Sequence, residues 1–311
     1  MKFAHLADLH LGYRQYGLYE RALDFNKAFT EAVDTILDKG FSFVLISGDV
    51  FHYRLPPAMA VRRAFHEFSR LQKAGIPVIV SRGNHDASIG ERGGNYLHLL
   101  ADRGSVTYLE GEDCFTDLEV DGKRIRIVGV GCYPESQIKN EIEKTRKDID
   151  PQADYNVIMF HQTLDKIPVK DKSWPFYSAY FFEDLFRHVN YYALGHIHTH
   201  NIKHPDLPAY YPGSIESWDL DDAETHIFDM QTGDCQIRPQ QTKGFLAVNL
   251  DHKPPEINSF PVTTRKMVHL LFRYRDIDPK EANDEIARIL PKFNMHGGGF
   301  SGSFFGRYCA S

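Results

Sequence analysis

Apolar runs along this chain stop repeatedly at carboxylates, amides and imidazoles. "KFAHLADLH" ends at Asp8 and His10, and "FSFVLISGDVFH" ends at Asp49 with His52 just after it. "IPVIVSRGNHD" ends at Asn84, His85 and Asp86, "NVIMFHQ" at His161, and "YYALGHIH" at His196 and His198. Residues 44–46 and 78–80 are apolar without alternation, which predicts strands buried on both faces. Where helices cross over between such strands, ligands gather beyond the strands' carboxyl ends. Five runs that deliver metal-type residues to the same topological place therefore predict one shared site.

Between these runs the apolar period becomes that of a helix. "RALDFNKAFTEAVDTILDKG" sets Phe25, Phe29, Val33, Ile36 and Leu37 on one stripe and stops at Gly40. "PPAMAVRRAFHEFSRLQKAG" does the same with Val61, Ala64, Phe65, Phe68 and Leu71 and stops at Gly75, and "NYLHLLADRG" is a shorter helix. "SVTYLEG", "CFTDLEVDGKRIRIVGVG" and "HIFDMQTGDCQIRP" read as strands and hairpins, with "DGK" and "TGD" as turns. Residues 1–240 are thus expected to form an α/β fold, two stacked sheets with helices outside in an α/β/β/α sandwich.

Around Gln240 the character changes. "KGFLAVNLDHKPPEINSFPVTTRKMVHLLFRYRD" reads as a few strands interrupted by "KPPE". "DPKEANDEIARILPKF" reads as a helix with Asp278 as N-cap, Pro279 in the first turn and Glu281 in capping-box position. Residues 241–311 are expected to form a small α+β cap that ends in a disordered glycine-rich tail.

The 311 residues suffice for one large domain and a small one. A net charge of −6 excludes a generally basic nucleic-acid coat but not a local basic channel. No stretch is long and apolar enough to span a bilayer, and the first run meets Asp8 too early for a signal peptide. Cys114, Cys132, Cys235 and Cys309 are scattered with no C-x-x-C, which points to a reducing cytosol.

A donor set of carboxylate, amide and imidazole without thiolate excludes a structural zinc finger. It suits Mn²⁺, Fe²⁺ or Zn²⁺ in an open catalytic site. Two ions need roughly seven protein ligands between them, with one carboxylate shared. Asp49 is placed to be the bridge, because Gly48 before it lets backbone pass close to the ions. "GHIHTH" sets three imidazoles on alternate positions, either a metal site at a strand end or a solvated loop. Residues i and i+2 of an extended segment face the same side about 6.7 Å apart. His196 and His198 can each hold one ion of a close pair, while His200 lies out of reach. Asp8 and His10 share the i, i+2 arrangement.

In this order, "DLH", "GDVFH", "GNHD", "FHQ" and "GHIH" resemble the calcineurin-like metallophosphoesterases. His52 directly after "GDVF", the pair "ALGHIH" and "YYPGSIESWD", and "TKGF" before a small αβ unit narrow the resemblance. They look like the Mre-eleven / SbcD family of DNA double-strand-break repair nucleases, archaeal type, over roughly residues 1–290. The resemblance implies two Mn²⁺ per chain, one on Asp8, His10, Asp49 and His198 and the other on Asp49, Asn84, His161 and His196. It implies that His85 contacts the phosphate and serves as general acid, that His52 positions the phosphate, and that Asp86 orients its neighbours. Phosphodiester cleavage needs neutralised phosphate charge and a hydroxide at neutral pH, and two ions supply both.

The implied activity is a Mn-dependent 3′–5′ exonuclease and single-strand endonuclease that processes DNA ends in a cytoplasmic, nucleoid-associated setting. The implied partners are DNA, a second copy of the chain and a Rad-fifty-type ATPase. The homodimer would form through residues 57–73 and 95–102, with Met59, Ala60, Val61 and Leu97 as contacts. The cap is expected to be cut short where the family's partner-binding segment should follow, which weighs against the ATPase partner.

Taken singly, His66, His98, His188, His204 and His226 read as solvated or structural histidines, and His5 as a core one. Arg54, Arg62, Arg63, Arg82, Arg92 and Lys170 suit a DNA channel or a solvated face equally well. Trp174, Phe176, Tyr177 and Tyr180 suit core or lid packing better than base stacking. Two other functions compete: a phosphoprotein phosphatase or small cyclic-nucleotide phosphodiesterase with the same ligands, and a non-catalytic scaffold of the same fold. His52, "PGSIESWD" and the cap favour DNA over the first. The complete ligand set with His85 favours an enzyme over the second.

Overall fold

The computed structural model describes residues 1–88, 94–111, 114–167, 188–273 and 279–293. In chain order the elements are β1 (Lys2–Leu6), α1 (Tyr19–Lys39), β2 (Val44–Ser47), α2 (Ala58–Lys73), β3 (Val78–Ser81), α3 (Tyr96–Asp102), β4 (Thr107–Leu109), β5 (Phe115–Val120) and β6 (Lys123–Gly131). Then come α4 (Glu135–Arg146), β7 (Tyr155–His161), β8 (Tyr191–Gly195), β9 (Ile202–Lys203) and β10 (Ala209–Tyr211). The last described strands and helix are β11 (Glu224–Asp229), β12 (Cys235–Arg238), β13 (Gly244–Asn249), β14 (Glu256–Pro261), β15 (Val268–Arg273) and α5 (Pro279–Ile289).

Two six-stranded sheets carry the fold. One runs β14-β13-β1-β2-β3-β4, with β1 to β4 parallel and β13 antiparallel to β1. The other runs β5-β6-β7-β8-β10-β9, with β6, β7, β8 and β10 parallel. Phe3, Leu45 and Ile79 of the first sheet meet Ile127, Val157 and Tyr191 of the second in one core. On the outer face of the first sheet, Ile46 and Val80 pack under Phe25, Phe29 and Phe68 of α1 and α2. Ile138 and Ile142 of α4 cover Ile158 and Phe160 on the other side. Leu45 and Ile46 thus face different cores, which is why the run has no polar alternation. The result is the α/β/β/α sandwich.

Local signals set the element ends. Gly40 stops α1 in the left-handed region, at φ 64°. Asn95 caps α3 by accepting from the Leu97 and His98 amides, while the His98 ring closes back on the Asn95 amide. Asp121 and Gly122, with φ of 53° and 72°, form the two-residue turn of the β5–β6 hairpin. Helix α4 was not expected from the sequence, where only its two isoleucines mark a stripe.

The chain divides into two compact units, and the division differs from the one expected at residue 240. The first unit holds Met1–Asp222 and Gln241–Arg265, and the second holds Ala223–Gln240 and the chain from Lys266 on. Strands β13 and β14 extend the first sheet instead of building the cap. The reason is burial: Phe245 and Ala247 enter the helix-covered core, while Leu246 and Val248 enter the core between the sheets. Such a run needs cover on both faces, which the edge of β1 offers and a small cap does not. Conversely, the β11–β12 hairpin joins β15 in a three-stranded sheet of the second unit. There Phe228 stacks on Phe272 at 5.2 Å, and Phe293 sits edge-on to His226 at 4.8 Å.

Ala60 and Leu97, named for a contact between two copies, lie in the chain's own core, as their helix faces point at the sheet. Val61 packs partly against the same core, and Met59 is 43% exposed. Asp278, Arg92, Lys170, Trp174, Phe176, Tyr177, Tyr180 and the glycine-rich tail fall outside the described residues. Among the described residues, no helix is long and apolar enough to cross a membrane.

Candidate metal centre

The parallel strands of both sheets end at one place. β1 leads to Asp8 and His10, β2 to Asp49 and β3 to Asn84, all from the first sheet. β7 ends at His161 and β8 leads to His196 and His198, from the second. The backbone there is bent in ways L-residues resist: φ is 53° at Asp8, 41° at His10, 54° at Asp49 and 89° at His196. Such conformations cost on the order of 1–3 kcal/mol each and gather at functional sites. Glycines make the convergence possible. A Cβ on Gly83 would collide with the Asp49 carboxylate, and one on Gly195 with the Ser47 carbonyl, 2.6 Å from His161 Nδ1. A Cβ on Gly48 would meet Gly83 Cα at 2.7 Å and collide with the His161 ring.

The donor atoms fall into two groups. In the first, His10 Nε2 lies 3.3 Å from His198 Nε2, and Asp8 Oδ1 lies 3.9 and 3.5 Å from these two atoms. In the second, Asn84 Oδ1 lies 3.0 Å from His161 Nε2 and 3.1 Å from His196 Nδ1. Asp49 Oδ2 faces both, 3.7 Å from His10 Nε2 and 3.3 Å from His161 Nε2. Ligand bonds of about 2.0–2.2 Å place neighbouring donors roughly 3.0–3.5 Å apart around one ion. These spacings fit two divalent cations sharing Asp49, and the oxygen–nitrogen donor set suits the Mn²⁺, Fe²⁺ and Zn²⁺ range.

Neighbouring groups fix the donor residues. Asp49 Oδ1 accepts the His85 amide at 2.8 Å, which leaves Oδ2 to face the donors. Asp86 Oδ2 accepts the Asp49 amide at 2.7 Å and the Gly83 amide at 3.1 Å, so it braces Asp49 from behind. The His196 amide donates to both oxygens of Asp8. His161 Nδ1 donates to the Ser47 carbonyl at 2.7 Å, which leaves Nε2 toward Asp49 and Asn84. His85 Nδ1 donates to the His52 carbonyl at 2.6 Å, and the His52 ring stacks on Tyr13 at 3.8 Å.

Burial and the neighbouring charges shift the groups of the site in opposite directions. Burial opposes ionisation of Asp49, but His161, His10 and His85 outweigh it and hold the carboxyl far below its usual range. Burial also opposes protonation of His161, yet Asp49, Asp8 and the Ser47 carbonyl raise it to about 9. Burial, with Asp49 beside it, raises Asp86 to about 7. Burial lowers His10 and His196 well below the ordinary imidazole value, and burial with His85 lowers His52 to about 4. Asp8, His10, Asp49 and His161 form a buried floor, and His52, Asn84, His85, His196 and His198 an accessible rim.

The calcineurin-like phosphoesterase family model matches residues 1–200. The DNA double-strand break repair protein Mre11 of Archaeoglobus fulgidus is 34% identical over 265 residues, which are 80% of this chain and 57% of that protein. Mre11 of Methanocaldococcus jannaschii is 30% identical over 298 residues, 93% of this chain and 73% of that protein. The chain is a calcineurin-like phosphoesterase of the Mre11 family. It spans little more than half the length of the Archaeoglobus relative.

In this Mre11-family chain, residues the sequence left without a role also touch the site. Trp218 lies 4.2 Å from the rings of both His10 and His198. Lys243, fully buried, donates to the His198 carbonyl at 2.8 Å. Arg21 fixes the segment before Trp218 by donating to Glu216 Oε1 at 3.2 Å and to the Ser217 carbonyl at 2.9 Å. "SIESWD" and "TKGF" stood out as motifs, but nothing local in them points to these contacts. His200 bonds the Pro212 carbonyl and Ser259 instead of joining the donors. His5 is buried against Tyr191 and Ser47, and His204 caps a turn through the Asp206 and Leu207 amides. Of the basic candidates, Arg63 pairs with Glu67 and Arg82 with Glu110, while Arg54 lines a cleft with Tyr53 and His85.

Proposed function

We propose that this chain is a Mn²⁺-dependent DNA nuclease, a 3′–5′ exonuclease and single-strand endonuclease that processes ends in double-strand-break repair. The observation that carries the two-metal reading is Asp49 Oδ2, which faces His10 and His161 at 3.7 and 3.3 Å and so belongs to both donor groups. DNA as substrate is supported by the names of the relatives. Asp8, His10, Asp49 and His198 would hold one ion, and Asp49, Asn84, His161 and His196 the other. The chemistry two bound ions supply is neutralisation of phosphate charge and activation of water at neutral pH.

The chain's own residues do the rest. The His85 amide keeps Asp49 Oδ1 turned away, so that Oδ2 faces both groups. Because His85 Nδ1–H is committed to the His52 carbonyl, His85 gives a proton to the leaving oxygen from Nε2, as the imidazolium. His52, held against Tyr13, positions the phosphate. The buried floor keeps bulk water away from the carboxylates. DNA ends and a second copy of this chain are the proposed partners, and a Rad-fifty-type ATPase is the third that the family likeness names.

The test is Mn²⁺-dependent digestion of single- and double-stranded DNA beside bis-p-nitrophenyl phosphate. Cleavage of all three, abolished by a chelator, is the expected result. Hydrolysis of the small diester alone would point to a small-substrate phosphodiesterase, and no hydrolysis at all to a scaffold.

A further inference from the structure

Lys243 is an ammonium with no exposed side chain, one residue before β13 and inside the first unit. No step of the proposed chemistry uses it. Its Nζ donates to the His198 carbonyl at 2.8 Å, to Ser214 Oγ at 3.1 Å and to Asp222 Oδ2 at 2.8 Å, which occupies all three N–H bonds. The His198 carbonyl also accepts the Ser214 amide at 3.1 Å. This close approach depends on Gly213, where a Cβ would stand 2.8 Å from the His198 carbonyl oxygen and 2.7 Å from His200 Cα.

Asp222 does a second thing. The oxygen that pairs with Lys243 also accepts the Trp218 amide at 2.7 Å, and the Trp218 ring lies 4.2 Å from the His198 ring. His198 is therefore gripped at its backbone by Lys243 and on its ring by Trp218, and Asp222 ties the two grips together. The contacts of the other donor group involve neither Lys243 nor Trp218: His161 donates to the Ser47 carbonyl, and the His196 amide donates to Asp8. A buried ion pair rarely stabilises a fold more than apolar side chains of the same volume. Two of the three Lys243 donors, however, are spent on the turn that carries His198 and its Ser214 neighbour.

We propose that the Lys243–Asp222 pair is a positioning device for His198, setting affinity for the ion held by Asp8, His10 and His198 and leaving the Asn84, His161 and His196 side unchanged. The inference rests on the two-ion reading above. Lys243→Met removes all three donors at similar volume. Lys243→Met with Asp222→Asn also avoids leaving a buried carboxylate unpaired. Thermal unfolding identifies which variants fold. Stepwise Mn²⁺ titration by calorimetry, with electron paramagnetic resonance of the bound ions, then reads binding without turnover.

The wild type should take up two ions with the spectrum of a coupled pair. In a folded variant one site should weaken about 10–100-fold, the usual cost of removing a group that orients a metal-bound histidine, while the other keeps its affinity. At low Mn²⁺ the coupled spectrum should give way to that of an isolated ion. Adding Lys243→Met to His198→Ala should weaken that site no further than His198→Ala alone. Two sites of wild-type affinity, equal loss at both sites, or additive losses would overturn the proposal. Failure of both variants to fold would overturn it too, by assigning the pair to stability. Fewer than two ions on the wild type would instead overturn the two-ion reading, and that arm tells the two failures apart.

Discussion

Asp49 concentrates the site in one side chain. Its amide is held by Asp86, its Oδ1 by the His85 amide, and its Oδ2 faces both donor groups. Asp49→Ala removes the shared donor, so metal analysis after Mn²⁺ loading should fall from two ions per chain toward none. Two tightly held ions in that variant would end the bridging assignment. His85 stands beside the donors with its Nδ1 committed to the His52 carbonyl. His85→Asn should keep both ions and DNA binding, while cleavage slows by about 10²–10⁴-fold, the usual worth of general acid assistance. Loss of an ion would make His85 a ligand. At this scale the sequence was legible where a donor ends an apolar run, as at Asp8, Asp49 and His161. Trp218 and Lys243 were not legible as site residues, because their contacts with His198 come from folding remote segments together.

Elements were legible where burial leaves a mark on the pattern. The runs at β2, β3, β7 and β8 have no alternation because each strand is covered on both faces. β13 is covered on both faces as well, but its residues were read only as a strand of the small cap, so its place beside β1 was missed. Helix α4 was missed because Ile138 and Ile142 are too few to outweigh its polar remainder. Glycine carries the closest contacts between elements. In Gly195→Ala the new methyl runs into the Ser47 carbonyl, which also orients His161. Overpacking of this kind typically costs about 1–3 kcal/mol, so melting temperature and Mn²⁺ content should fall together. Gly40, whose Cβ would meet nothing within 4 Å, supplies the comparison. Gly40→Ala should cost about 1–2 kcal/mol from its left-handed backbone alone and retain both ions. Full metal content in Gly195→Ala would mean that the contact between β2 and β8 does not hold the ligands.

The whole molecule raises two questions that no single element answers. The first is self-association. With Ala60 and Leu97 in the core, the apolar residues left for a second copy on α2 and α3 are Met59, Phe65 and Leu99, at 43%, 44% and 46% exposure. Light scattering at micromolar concentration should give a dimer, and Met59→Glu with Leu99→Glu should give a monomer. A monomeric wild type would count against the proposal.

The second question is what the discontinuous unit does. Deleting residues 241–311 would strip β13 and β14 from the first sheet and expose the edge of β1, so that variant should fail to fold. The useful cut follows the units, removing 223–240 and everything after Arg265 and joining Asp222 to Gln241. The Gln241 amide already donates to the Asp222 carbonyl at 2.8 Å, so the new junction spans no gap. Every candidate ligand and Lys243 remain in such a chain. It should melt cooperatively, bind two Mn²⁺ and hydrolyse bis-p-nitrophenyl phosphate as the full chain does. A duplex must still be oriented before its phosphate reaches a buried floor, and contacts to backbone phosphates do this without reading sequence. If the second unit supplies them, the excised chain should lose most of its DNA cleavage. Its DNA binding should also weaken less steeply with added salt, because fewer counterions are released. Equal loss on both substrates in a folded chain would show that the second unit only stabilises the first, and undiminished DNA cleavage would show that it takes no part in handling substrate.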